Sequence, residues 1–269
     1  MEATTPRHLL HRILCCLVVY LLTLIPIPPK RRLSLVALKE IHLSLLFRIC
    51  GLSTRTLTID VGDGNDATSL HIWVPRRRRP QKHALLLIHG FGGNSKWQFH
   101  RQIGPLSRSF DLYIPDLVFF GRSFSSSGER SVGFQSRCVS AAMRGLGVEK
   151  YSVAGISYGG FVAFRLATEA EEVERLVILT SGICATAQEM REMVAGEKRD
   201  VTEILLPQRA EDLMTLIRRS MYRSPKWVPT FVLRDFVETL LYHGPWHQAG
   251  QFHGFMNSVD VQGSQEREG

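Results

Sequence analysis

The sequence predicts an α/β fold built on a mostly parallel β-sheet with flanking helices. Short apolar runs recur between residues 54 and 180, and helical patterns separate them. Strands that alternate with helices form βαβ units, in which the strands run parallel. A hydrophobic content of 44% over 269 residues is also enough for one substantial core. We therefore expect one α/β domain with an N-terminal appendage.

The predicted elements follow one another with few interruptions. Runs of apolar or alternating residues bounded by turn residues predict strands over residues 54–60, 69–74, 83–89, 110–115, 151–154 and 173–180. Apolar residues at helical spacing predict helices over residues 96–107, 131–146 and 158–170. Three more helical patterns follow with no strand between them, over residues 188–195, 209–222 and 230–243. These last helices predict a lid over one edge of the sheet.

This pattern divides the chain into four predicted parts. Residues 1–52 form an N-terminal apolar segment and an amphipathic helix, and residues 53–182 form the α/β core. Residues 183–243 form a helical cap. Residues 244–269 form an irregular or disordered tail, because they contain no four-residue apolar run and end in Gln, Glu and Gly.

The N-terminal segment contains an apolar run, residues 13–25, which Pro26 ends and three basic residues at 30–32 follow. A run of this length is shorter than the roughly 20 residues that span a bilayer. Three interpretations stay open: a signal anchor or membrane-dipping helix, a cleaved signal peptide, and a buried helix. If the chain stays anchored, the basic residues after the run favour a cytosolic domain. Residues 33–52 predict an amphipathic helix that lies on a membrane surface or packs on the domain.

The net charge of +8 is concentrated in two places. Basic residues flank the N-terminal apolar run, and five more fill the loop at residues 76–82. A nucleic-acid binder carries such charge along one groove or face, with aromatic residues between. This distribution therefore argues against nucleic acid as a partner. The five cysteines show no paired spacing, so neither a metal site nor a disulfide framework is expected.

The most informative motif is Gly155-Ile156-Ser157-Tyr158-Gly159. An apolar run leads into it and a helical pattern rich in small residues follows, which is the strand–turn–helix context of a nucleophile elbow. Gly155 and Gly159 flank the serine because side chains there would clash in so strained a turn. Ser157 is therefore a candidate nucleophile, and it needs an adjacent base. The alternative interpretation is a glycine-bounded turn with a capping serine.

A second glycine-rich turn, HGFGG at residues 89–93, directly follows the apolar strand 83–89. With Gly90 and Gly92 in the turn, backbone N–H groups can point into a cavity at the edge of the sheet. We expect the N–H groups of Phe91 and Tyr158 to bind a developing oxyanion. A simple strand-to-helix turn is the alternative.

The third motif, PDLVFFGRS at residues 115–123, follows the strand 110–115. It places Asp116, a turn at Gly121 and a hydroxyl at the same edge of the sheet. We interpret Asp116 as a residue that braces this loop by hydrogen bonds rather than as a catalytic acid. His89, which precedes the serine and lies on the opposite loop, is also interpreted as a structural hydrogen-bonding residue.

These three motifs, in this order, resemble the α/β-hydrolase superfamily. In particular they are similar to plant-type serine hydrolases of the monoacylglycerol lipase and esterase branch. The resemblance covers residues 54–240 and implies an α/β-hydrolase fold with a helical cap, Ser157 as nucleophile, and Phe91 and Tyr158 as oxyanion donors. The related epoxide hydrolases and haloalkane dehalogenases carry an aspartate in place of this serine. The implied activity is therefore hydrolysis of a lipid or small acyl ester, without a cofactor or metal.

The C-terminal part departs from the family's pattern, in which an acid and then a histidine follow the serine. Downstream of Ser157 the histidines are His243, His247 and His253, and we interpret Asp235 as part of a solvated helix face. We expect that the last two strands and the final helix are missing and that activity is impaired. The alternative is a triad assembled from Asp235 and one of these histidines. A catalytically inactive chain that binds an apolar ligand or partner is the competing hypothesis.

Overall fold

The computed structural model describes residues 34–60, 67–183, 207–225 and 227–242, together with Gln188 and Glu192. Contacts divide the chain into two units, and every element below belongs to the second, Leu35–Gly269. The apolar run at residues 13–25 and the predicted tail lie outside the described residues, as does nearly all of the helix predicted at 188–195.

Three strands follow one another between residues 52 and 88, and helices are interspersed with the later strands up to residue 179, as the sequence predicts. The strands are β1 (Leu52–Ile59), β2 (Thr68–Pro75), β3 (His83–Ile88), β4 (Phe110–Pro115), β5 (Phe124–Ser125), β6 (Tyr151–Ile156) and β7 (Val173–Leu179). The helices are α1 (Leu35–Ile49), α2 (Ser95–Phe99), α3 (Ile103–Ser109), α4 (Val132–Gly145), α5 (Tyr158–Glu169), α6 (Ala210–Ser220) and α7 (Thr230–Phe236). A π-helical segment, Val237–Tyr242, continues α7.

The strands form one mixed sheet in the order β1-β2-β4-β3-β6-β7, with β5 beside β2. Strands β4, β3, β6 and β7 are parallel, whereas β1, β2 and β5 pair antiparallel. The carboxyl ends of the four parallel strands therefore meet at one edge, where open α/β sheets bind their ligands. The predicted fold class, a mostly parallel sheet with flanking helices, is confirmed.

Helices cover both faces of the sheet. Strand β3 lies between these two layers, which explains why its sequence is an unbroken run of apolar residues. Its Leu86 and Ile88 belong to the apolar layer that α4 and α5 share with the sheet. Its Leu85 and Leu87 belong to the opposite layer, which also contains Phe47 of α1. A strand buried on both faces needs apolar residues at every position rather than at alternate ones. A strand that is buried on both faces therefore leads directly into the HGFGG turn.

Two predicted helices differ from those observed. The single helix predicted at residues 96–107 is wrong, because the chain forms the separate helices α2 and α3. Pro105 explains the break: inside a continuous helix its ring would clash with a carbonyl of the preceding turn, whereas it fits the first turn of α3. The helix predicted at residues 230–243 is α-helical only over α7, which ends at Phe236, and the chain continues from there as the π-helical segment.

Helix α1 packs against the domain through Val36, Leu43 and Phe47, which are all buried. Phe47 lies against the ring of Trp73 on β2, with 5.0 Å between the ring centroids. Within the described part of the chain, no helix is long and apolar enough to cross a bilayer. The inner face of α1 therefore agrees with the interpretation that this amphipathic segment packs on the domain.

Candidate active site

Ser157 lies at the junction of β6 and α5 with backbone angles φ 53° and ψ −120°. Residues with a side chain rarely adopt such a conformation, so the turn is strained and depends on its surroundings. The Ser157 N–H donates to the Leu179 carbonyl at 2.9 Å, and its carbonyl accepts from the Gly160 N–H at 2.8 Å. Ser157 itself is exposed, whereas Tyr158 and the two residues after it are buried. The chain thus presents one serine at the carboxyl edge of the sheet.

Glycine is required on both sides of this turn because neighbouring backbone segments approach it closely. A Cβ at Gly155 would lie 2.6 Å from the carbonyl carbon of Gly159 and 2.7 Å from the Cβ of Ala163. A Cβ at Gly159 would lie 2.5 Å from the carbonyl oxygen of His89. Real Cβ atoms do not approach other atoms so closely, so the strand, the helix and the HGFGG turn can meet here only through glycine.

The HGFGG turn lies directly against the elbow. A Cβ at Gly90 would be 3.2 Å from the Cβ of Ser157, and Gly92 adopts a positive φ of 83°. The structure therefore brings the two predicted oxyanion donors, Phe91 and Tyr158, to the same place as Ser157. The HGFGG turn and the first residue of α5 therefore both adjoin Ser157.

Aromatic rings form an apolar wall beside the serine. Phe91, Phe120 and Tyr158 meet one another with ring centroids 5.5 to 6.2 Å apart. The ring of His89 packs on Phe120 at 5.1 Å. Burial raises the pKa of the Tyr158 hydroxyl, so this group stays neutral at physiological pH. Phe120 and Tyr158 are buried and Phe91 is half-buried, so the wall is continuous with the apolar core.

Asp116 is buried at the end of β4 and accepts hydrogen bonds through both carboxylate oxygens. Oδ1 accepts from the backbone N–H of Ser95 at 3.0 Å and from its hydroxyl. Oδ2 accepts from His71 Nδ1 at 3.0 Å and from the Arg122 N–H at 3.2 Å. Burial alone would raise the pKa of Asp116, but the hydrogen bonds from His71 and Ser95 and the charge of His71 lower it to about 2. The carboxylate holds together β2, the start of α2 and the loop after β4.

Gly121 and His89 complete this polar cluster behind the site. Gly121 has a φ of 54°, and a Cβ there would overlap the Asp116 carboxylate. His89 is fully buried, with Nδ1 2.7 Å from the Gly90 carbonyl and Nε2 accepting from the Leu117 N–H at 3.0 Å. Burial lowers the pKa of His89, which favours the neutral ring that these two bonds require. Neither ring nitrogen is left to serve Ser157.

The other described histidines are also engaged away from the serine. His71 Nδ1 bonds to Asp116, His83 Nε2 lies 2.8 Å from Ser152 Oγ, and His100 Nδ1 lies 3.0 Å from the Trp97 carbonyl. His42 lies on α1. The candidate bases His243, His247 and His253 fall outside the described residues. Among the described residues there is also no group of His, Cys, Asp or Glu side chains that could hold a metal ion.

Asp235 does not belong to a solvated helix face, contrary to our interpretation of the sequence. Its Oδ2 accepts from the Val36 N–H at 2.9 Å, and its Oδ1 accepts from the Thr239 hydroxyl at 3.1 Å. A carboxylate at a helix N-terminus satisfies an N–H group that the helix leaves unpaired and interacts favourably with the helix dipole. Asp235 therefore joins α7 to the start of α1.

Sequence reasoning missed the partners that hold the loops around the site. His71 and Ser95 bind Asp116 from 45 and 21 residues away, and no spacing in the sequence indicates either contact. Glu40 of α1 was also missed. It accepts from Asn94 Nδ2 at 2.9 Å and pairs with Lys96, next to the HGFGG turn. In the sequence, a single acid among the apolar residues of an amphipathic helix looks like an ordinary solvent-exposed residue, so nothing indicates these contacts.

A family model described as the alpha/beta hydrolase fold matches residues 83–243 of the chain. This match covers more than half of the sequence and includes all three motifs. The chain belongs to the α/β-hydrolase fold family.

Curated relatives match the chain over a shorter stretch. A 2-hydroxy-6-oxo-6-phenylhexa-2,4-dienoate hydrolase from Burkholderia cepacia is 32% identical over 103 residues, which is 37% of this chain and 36% of the relative. An uncharacterized protein of Mycobacterium tuberculosis (strain ATCC 25618 / H37Rv) is 31% identical over 100 residues, 37% of this chain and 29% of its own length. The matched stretch thus spans about a third of these relatives.

Solved structures with the same fold extend over more of the chain. A membrane phospholipase A, described as a bacterial virulence factor, superposes with a TM-score of 0.67 at 21% identity over 95% of this chain and 75% of that one. The carboxylesterase CesB from Bacillus subtilis superposes with a TM-score of 0.51 at 17% identity, over 73% of this chain and 65% of that one. At such identities the likeness establishes the fold alone.

Proposed function

We propose that this protein is a serine hydrolase of carboxylic esters, with a lipid or small acyl ester as substrate and Ser157 as nucleophile. The observation that carries the proposal is the strained, exposed Ser157 held against the HGFGG turn. A serine hydroxyl is held in this way where it must reach a substrate carbonyl beside backbone N–H donors. The wall of Phe91, Phe120 and Tyr158 supports an acyl group as the part of the substrate that is bound.

In the proposed reaction, Ser157 Oγ attacks the ester carbonyl carbon and gives its proton to a base. The N–H groups of Phe91 and Tyr158 stabilise the tetrahedral oxyanion. The carbon–oxygen bond to the alcohol then breaks, the alcohol leaves with the proton, and water hydrolyses the acyl-enzyme to the acid and free Ser157. No cofactor takes part. The rate depends on whether one of His243, His247 and His253 reaches Ser157.

A second candidate function is binding of an apolar ligand or partner without turnover. It is favoured by the engagement of His71, His83, His89 and His100 with groups other than Ser157. Without a base, the oxyanion donors and substrate binding alone leave roughly 10³- to 10⁴-fold catalysis over water. Such a chain would retain the aromatic wall beside Ser157 and lose most of its rate.

Hydrolysis of 4-nitrophenyl esters of increasing acyl length tests the two functions together. For the ester hydrolase we expect turnover that Ser157→Ala lowers about 10³-fold or more, while Ser126→Ala on an exposed loop leaves it unchanged. A series of non-hydrolysable alkyl ethers of the same chain lengths measures binding in the same preparation. A chain whose Tm rises with an ether and that turns over no ester would establish the binding function instead.

We also propose that the protein associates with a membrane through its N-terminal part and that the catalytic domain lies in the cytosol. The apolar run at residues 13–25 and the basic residues 30–32 support this proposal. Fractionation of cells that express the whole chain checks it. Recovery in the membrane fraction, with protease sensitivity from the cytosolic side, is expected. Recovery in the soluble fraction would contradict it.

A further inference from the structure

Helix α1 has an apolar face that no described element covers. Leu35, Ile41, Leu45 and Ile49 are 41%, 67%, 57% and 73% exposed. The last three follow at intervals of four residues, so they lie along one side of the helix. We call Ile41, Leu45 and Ile49 the outer stripe. A line of three exposed large aliphatic side chains beside an already buried inner face is unusual for a helix that only packs on its own domain.

The helix is held so that the outer stripe cannot turn inward. Glu40 accepts from Asn94 Nδ2 at 2.9 Å, and it also bonds to Lys96 and to Trp97 Nε1. Rotating α1 about its axis would break these bonds and would leave Lys96, which is only 7% exposed, without its acid. The stripe is therefore a fixed outward surface of the domain.

The charges around the outer stripe are positive. Glu40 is the only acid of α1, and its carboxylate is committed to partners on the core. Arg48 is exposed beside the stripe, and the Arg76 guanidinium lies close to it, donating to the Arg48 carbonyl at 3.2 Å. Arg77 is also exposed. In the sequence, three more basic residues at 30–32 directly precede the helix. Apolar side chains with basic flanks complement an anionic lipid surface.

We propose that the outer stripe of α1, flanked by Arg48 and Arg76, docks on the surface of an anionic lipid bilayer. The aliphatic side chains enter the boundary between headgroups and acyl chains, and the guanidinium groups bind the acidic headgroups. This inference rests on the membrane association proposed above and adds a contact made by the folded domain. Glu40 ties α1 to the start of α2, which directly follows the HGFGG turn, and Asp235 ties α1 to α7. Docking would therefore fix the orientation of Ser157 relative to the bilayer.

Sedimentation of the full chain with vesicles tests the surface. Vesicles of phosphatidylcholine alone are compared with vesicles that also contain phosphatidylserine. The variant Ile41→Gln/Leu45→Gln/Ile49→Gln is expected to bind the anionic vesicles about tenfold more weakly than the natural chain. The matched control is Met221→Gln/Phe231→Gln, which replaces exposed apolar residues elsewhere, 54% and 63% exposed, and should bind as the natural chain does. Residues 1–33 are present in every variant. The ratio of the vesicle affinities of the stripe variant and the natural chain therefore measures the contribution of the outer stripe alone.

The basic flank gives an independent readout. Arg48→Gln/Arg76→Gln should weaken binding several-fold on the anionic vesicles and leave binding to neutral vesicles unchanged, and high salt should remove the difference. As a measurement that does not depend on removing the stripe, Leu45→Trp places a fluorophore in it. Vesicles with brominated acyl chains should quench this variant more than the natural chain.

Three results would overturn the inference. The stripe variant could bind as tightly as the natural chain, which would place all lipid contact in residues 1–33. The tryptophan at residue 45 could show no added quenching. Finally, the natural chain could be a dimer that the stripe variant converts to a monomer, which would make the stripe a contact between two copies. Ester hydrolysis in solution does not require docking, so failure here would leave the proposed reaction standing.

Discussion

Strands β3 and β7 are both rich in aliphatic residues, yet the protein buries them very differently. Leu86 and Ile88 of β3 are 0% exposed. Val177 and Leu179 of β7 are 47% and 46% exposed, and within the described residues β7 pairs with β6 alone. The difference lies in the neighbours, since β3 has a strand on each side and a helical layer on each face. The apolar character of a sequence segment thus predicts a strand, but it does not predict which neighbouring elements cover that strand.

Ser157 lies between these two environments. On one side, the HGFGG turn after β3 lies against it. On the other, its N–H donates to the Leu179 carbonyl at the end of β7. The serine is therefore supported by a deeply packed strand and by a strand whose outer face is open in the described structure. An exposed apolar edge strand is a site for pairing with another segment.

The strongest test of this contrast is a matched pair of truncations. Leu86→Ala should lower the free energy of unfolding by about 3 kcal/mol, because it opens a cavity in a fully buried layer. Leu179→Ala should lower it by about 0.5 to 1 kcal/mol, because nearly half of that side chain is exposed. Urea unfolding of the two variants measures both values. An equal loss for Leu179→Ala would mean that β7 is covered in solution.

The second test compares a glycine at the packed centre with one on the surface. Gly155→Ala should cost about 2 kcal/mol, because the new Cβ meets the backbone of Gly159 and the side chain of Ala163. At Gly145, near the end of α4, a new Cβ would meet no atom within 4 Å. Gly145→Ala should therefore raise the free energy of unfolding by about 0.5 kcal/mol. Thermal unfolding gives both shifts in Tm. A gain for Gly155→Ala would show that β6 and α5 do not meet as described.

The third test uses the pH dependence of Asp116, which lies behind the site rather than at the open edge. Its pKa in the folded chain is lowered to about 2, below the ordinary value of 3.8. The ionised carboxylate therefore stabilises the fold above about pH 4, by about 2 kcal/mol, and this stabilisation is lost as the pH falls towards 2. Asp116→Asn should be less stable at pH 7 and should lose less on acidification.

Urea unfolding at pH 7 and pH 3 measures this difference. Glu171→Gln, an exposed acid, serves as the control and should follow the natural chain at both values. If the natural chain and Asp116→Asn lost the same stability between the two pH values, the carboxylate would not be held as described.

The sequence predicts most of the sheet and the local shape of the elbow because both depend on neighbours in the chain. The apolar run of β3 and the glycines on either side of Ser157 are local signals with a clear physical cause. The break before α3 could also have been predicted from Pro105. The contacts of Asp116 with His71 and Ser95 could not, since they join β2 and α2 to the loop after β4 without leaving any pattern in the chain. Asp235 was interpreted as part of a solvated helix face for the same reason, since its contact with Val36 joins α7 to α1 across 199 residues.

Labelling of Ser157 by a fluorophosphonate probe tests the central claim most directly. The natural chain is compared with Ser157→Ala, with Ser126→Ala as a control, and with single alanine substitutions of His243, His247 and His253. We expect a label that maps to Ser157, persists in Ser126→Ala and disappears in Ser157→Ala. Loss of the label with one of the three histidines would identify that residue as the base, and a weak label that none of them changes would fit the impaired activity expected from the sequence. A folded chain that takes no label at Ser157 would contradict the account and would leave ligand binding as the function of this site.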